Sequence, residues 1–111
     1  MYKVKMRTNI YNMIRDILFD ENVNSVKDFQ EKLLDLKNKR GESSYYFLAS
    51  LEAETLLRDI DRELRYRSIK SIKFVVYPNN SGVDMFFGED IEKISKRFGW
   101  EWKELSNEKR V

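Results

Sequence analysis

In the opening "YKVKMR", Tyr2, Val4 and Met6 alternate with Lys3, Lys5 and Arg7, the two-residue period of a strand with one buried face. Past Thr8 and Asn9, either of which can cap a helix, Ile10, Met13, Ile14, Ile17 and Leu18 recur every three or four residues, which predicts a short amphipathic helix to about Asp20. Ser25 and Asp28 in "NSVKD" have the spacing of a capping box. They open a second helix with Val26, Phe29, Leu33 and Leu36 on one stripe and Gly41 as its stop. The stretch from Ser44 to Arg67 carries neither Gly nor Pro, and Leu48, Leu51, Thr55, Leu56, Ile60 and Leu64 give it a seam. It is predicted to be the longest helix.

The period then changes. "SIKSIKFVVYP" is rich in β-branched and aromatic residues, and Pro78-Asn79-Asn80-Ser81-Gly82 is a dense turn signal before "VDMFFG", so a hairpin is predicted. Ile91, Ile94 and Phe98 predict a last short helix closed by Gly99, after which Trp100 and Trp102 face one way and Glu101 and Lys103 the other. The order is strand, three helices, two strands, helix, strand: one α+β domain over residues 1–105, with 106–111 as a frayed tail. If the three helices act as one enlarged crossover, βαααββαβ is a ferredoxin-like variant, a four-stranded sheet with helices on one face. Three helices before a hairpin is also the order of a winged helix, the alternative architecture. On the ferredoxin-like reading Tyr2, Val4, Met6, Ile72, Phe74, Val76, Val83, Met85, Phe87, Trp100 and Trp102 point toward the helices. Lys3, Lys5, Arg7, Lys73, Val75, Tyr77, Asp84, Phe86, Glu101 and Lys103 then share an open opposite face.

Composition narrows the chemistry. A chain of 111 residues, 41% hydrophobic, suits a single core. Against 19 Asp+Glu, 21 Lys+Arg leave a net charge of +2, so any basic footprint is local. The absence of Cys removes disulfides, thiolate catalysis and cysteine metal sites. The absence of His removes Ser-His-Asp triads, imidazole proton shuttles and His-ligated metals. Glycines at 41, 82, 88 and 99 spell no phosphate-binding loop. No run approaches the roughly 18 apolar residues of a membrane span, and the opening residues lack the continuous apolar core of a signal peptide. The expectation is a cytoplasmic protein with no membrane association and no cofactor.

Asp84 with Glu101-x-Lys103 resembles the Asp and Glu-x-Lys set of metal-dependent nucleases of the restriction-enzyme type. Alternation alone, however, puts Glu and Lys on one face of any W-E-W-K strand, so no catalytic or metal site is expected. Glu52, Asp59 and Glu63 fall nearly on one side of the long helix, where carboxylates can bind Mg²⁺ or Ca²⁺. Arg58, Arg62 and Arg65 interleave at ion-pair spacing, the pattern of a solvated face. "KNKR" at Lys37 to Arg40 closes the second helix, where the helix dipole accounts for cations. Arg62, Arg65, Arg67, Lys70 and Lys73, with Tyr66 among them, form a basic run suited to phosphate contact. Tyr45, Tyr46 and Phe47 are successive aromatics that one stripe cannot bury, which points to a contact surface. Together these readings predict a small non-catalytic protein-interaction or regulatory module, with a homodimer as one form of it. The alternative is a nucleic-acid-binding protein. The contact residues expected under one or the other are Lys3, Lys5, Arg62, Arg65, Arg67, Lys70, Lys73, Tyr77 and Phe86.

Overall fold

The computed structural model describes residues 2–4, 8–66, 70–77, 82–86 and 91–107; for 2–4, 8–11, 82–86, Ile91, Glu92 and Ile94 only the course of the backbone is described. The elements are β1 (Tyr2–Val4), α1 (Thr8–Leu18), α2 (Val26–Asn38), a 3-10 turn (Lys39–Gly41), α3 (Ser44–Tyr66), β2 (Ser71–Tyr77), β3 (Gly82–Phe86), α4 (Ile91–Phe98) and β4 (Glu101–Ser106). The α+β class expected from the sequence is the class observed.

Ser25 starts α2 as its extended N-cap, its Oγ accepting from Asp28 N at 3.1 Å. The Asp28 carboxylate reaches back one residue further than a capping box requires, accepting from Asn24 N at 3.0 Å. The helix ends at Asn38, ahead of Gly41, because the Lys39 N–H turns back to the carbonyls of Leu36 and Lys37. In α3 the buried stripe is Ala49, Ala53, Leu56 and Ile60, while Leu48 and Leu51 are half-buried. Alanines on the inner stripe let α2 approach α3 closely, which is why the wider leucines are displaced to its margin. Ile14 and Leu18 of α1, Phe29 and Leu33 of α2 and the α3 stripe close over Ile72, Phe74 and Val76 of β2 and Leu105 of β4. The rings of Phe29 and Phe74 lie 5.0 Å apart.

The strands pair in the order β1-β3-β2-β4, every pair antiparallel. Thus β1 and β2 are parallel with β3 between them, and β3 and β4 are parallel with β2 between them. The two crossovers shift the same way across the sheet but run in opposite directions along it. Right-handed connections therefore put α1 to α3 on one face and α4 on the other. Had the last strand returned beside β1, all helices would share one face, as the ferredoxin-like reading expects. Burial agrees with two covered faces: Phe74, Val75 and Val76 are consecutive on β2 and all buried, and α4 lies against β4 and β2. The expected open face is thus covered at its centre. The β2–β3 hairpin is flanked by β4 and β1 and is no free wing; its turn, 78–81, lies outside the described residues.

The facing of β4 is the second correction. Register sets Trp102 opposite Val75, Lys103 opposite Phe74 and Leu105 opposite Ile72. Directly paired residues project to the same face. Trp102 therefore belongs to the α4 face, and Glu101, Lys103 and Leu105 look toward α1 to α3. Leu105, fully buried, decides the phase because it shares parity with Glu101 and Lys103. The strand continues into the expected tail: Ser106 bridges to Ser25 and Asn107 N donates to Lys70 O at 2.7 Å. Residues 108–111 lie outside the described residues.

Candidate contact surface on the second sheet face

The nuclease-like set is taken apart by the register. Arg15 Nη2 of α1 donates to both Glu101 carboxylate oxygens, at 2.9 and 2.8 Å. Lys103 Nζ donates to Leu18 O at 2.6 Å and Asp20 O at 3.3 Å, satisfying carbonyls at the C-terminal end of α1. Burial pushes the Lys103 ammonium below its usual range, opposed by the nearby Asp20 carboxylate. Asp84 is paired with Val75 and so stands at a position of the other face, the sheet lying between it and Glu101. Among the described residues no group of three or more acidic side chains is placed to hold a metal.

Nor is the acidic side of α3 a simply solvated face. Asp59 is buried, with Oδ1 taking Arg62 Nη2 at 3.2 Å and Oδ2 lacking a hydrogen-bond partner among the described residues. The half-buried Glu52 carboxyl is pushed up by its desolvation. The basic run expected to act as one surface is divided. Arg62 is occupied by Asp59, Arg65 and Lys70 are exposed, and Lys73 projects with Val75 to the α4 side. Lys5 and Arg67 lie outside the described residues. For Lys3 and Phe86 the register gives positions only, opposite Asp84 and Lys73.

Beyond Tyr66, 77% exposed at the end of α3, two places among the described residues expose aromatic rings. At the start of α3 Tyr45 and Phe47 are 52% and 44% exposed, and cations of the preceding turn cover two rings there: Lys39 sits 5.2 Å over Tyr46 and Arg40 4.8 Å over Phe47. The other is built by the end of α4. The Gly99 N–H returns to Lys96 O and the Trp100 N–H to Ser95 O, a Schellman closure for which Gly99 adopts φ +68°. This reversal lays Phe98 over Trp100, ring centroids 4.8 Å apart and planes 20° from parallel. Tyr77 of β2 meets Trp100 edge-on at 4.8 Å, and Val75, with Trp102 against it, forms the buried floor. Phe98 remains 57% exposed, with the Arg97 guanidinium carbon 5.6 Å from its ring centroid. Of the sequence-expected residues, Tyr77 and Lys73 reach this face. Phe98, Trp100, Trp102 and Arg97 were not among them, and the parity of Leu105, set against that of the two tryptophans, was too divided a signal to find them.

Comparison of the chain with protein families, curated proteins and solved structures finds no match.

Proposed function

We propose that this chain is a non-catalytic interaction module, a cytoplasmic protein whose contact surface is the aromatic face formed by α4, β4 and Tyr77. The observation that carries the reading is the exposed Phe98 ring, stacked on Trp100, which Tyr77 meets edge-on over a fully buried Val75. A large ring left in solvent gains its burial only when something binds, and large aromatic residues supply much of the energy at contact surfaces. Glu101 and Lys103, the residues a nuclease reading needs, are instead tied to α1.

The test separates stability from association. Phe98→Ala removes a ring that is mostly in solvent, so the thermal midpoint stays within a few degrees of the native value. Association, read as molecular mass by sedimentation equilibrium and as oligonucleotide binding by tryptophan emission, is abolished. A native protein that neither self-associates nor binds would remove the reading, as would association untouched by Phe98→Ala.

A further inference from the structure

We infer that the aromatic face binds single-stranded nucleic acid, with Phe98, backed by Trp100, stacking on a base and Lys96 and Arg97 meeting phosphates; this rests on the contact surface proposed above. Charge selects the partner. Lys96 and Arg97 are exposed in the last turn of α4 and, among the described residues, make no ion pair, whereas Arg15, Arg58 and Arg62 each have a carboxylate. The helix dipole accounts for cations at a C-terminal turn but not for an exposed aromatic ring beside them. Lys73 projects to the same face from β2, opposite Glu104, whose carboxylate accepts from Ser71 Oγ at 2.7 Å, and the register gives Asp84 a position on that face as well.

A second copy is the less fitting occupant. A two-fold contact through Phe98 and Trp100 would bring Lys96 and Arg97 of one chain against those of the other, and like charges so placed oppose association. Pairing through the edge of β4 meets a different obstacle, since Lys103 points inward from that strand, a device that blunts edge-to-edge addition. An anionic chain with flat apolar bases satisfies both features. Each base offers a π-face to an aromatic ring whatever its sequence, and each phosphate offers a partner to a cation. Duplex fits poorly, because its bases are already stacked on one another and unavailable to Phe98.

Both tryptophans of the chain, Trp100 and Trp102, lie on this face, so their emission reports on it without a label. Short oligouridine and oligothymidine are titrated into the native protein, Phe98→Ala and Lys96→Ala/Arg97→Ala, between about 50 mM and about 200 mM salt. The native protein is expected to be quenched and to bind with an affinity that falls as salt rises. Phe98→Ala weakens binding about tenfold or more at every salt concentration. The double cation variant lowers the slope of log K against log salt by roughly 1.4, about 0.7 for each phosphate left without its cation. The inference is overturned if the native protein does not bind either oligonucleotide at low salt, if duplex binds as well as single strand, or if Phe98→Ala binds normally. It is also overturned by a salt-insensitive homodimer that needs Phe98 and excludes oligonucleotide, an outcome that leaves the contact surface standing.

Discussion

Lys103 occupies an inward position of an edge strand, where an ammonium group would be costly without partners. Leu18 O and Asp20 O supply them, and the lysine in turn satisfies carbonyls that α1 cannot satisfy itself. Lys103→Ala strands those carbonyls and is expected to cost about 1 to 3 kcal/mol, read as a lower urea midpoint at unchanged m. An unchanged midpoint would mean that the lysine contributes nothing there. Glu52 is a pH-dependent counterpart. Its folded-state pKa is raised from 4.5 by burial, so the folded chain binds this proton more tightly than the unfolded one. The resulting stabilisation is full below 4.5 and fades as pH rises through the raised value. Glu52→Gln removes that dependence, so thermal midpoints of native protein and variant, compared from pH 4.5 to neutrality, diverge in favour of the variant. Parallel curves would contradict it.

At the scale of elements, the burial of both faces of β2 is the feature with the clearest energetic consequence. Val75→Ala opens space beneath Tyr77, Trp100 and Trp102 and should cost about 1 to 2 kcal/mol. On an uncovered face the same change would stay within about 0.5 kcal/mol, so denaturant unfolding decides between the two. The elements themselves were largely legible: the β-branched and aromatic residues of "SIKFVVY", the Ser25 cap and the run of α3 without Gly or Pro are local signals, and local structure answers to them. The phase of β4 was not. "WEWKEL" is apolar at Trp100 and Trp102 in one parity and at Leu105 in the other, so both facings bury something. Which one wins depends on the neighbouring strand, a long-range fact that periodicity does not carry. The α3 seam departs from its leucine pattern for a related reason: Ala49 and Ala53 look unremarkable in a hydrophobic pattern, yet close approach by α2 makes small residues the buried ones.

For the whole molecule, strand order converts a small topological difference into a different surface. With β4 beside β2, α4 is carried to the far face, and the turn at Gly99 leaves Phe98 exposed and Trp100 half-buried at its margin. The candidate surface could not be read from the chain because it depends on this order and on the β4 phase together. The proposed function therefore stands on where the tryptophans point. Nuclear Overhauser contacts from the two indole rings measure that directly in solution. The structure predicts contacts from Trp102 to the Val75 methyls and from Trp100 to Tyr77 and Phe98, with Leu105 in contact with the core around Ile72. Contacts from Trp102 to Phe29, Leu33 or Phe74 would place the indoles in the main core and contradict the account.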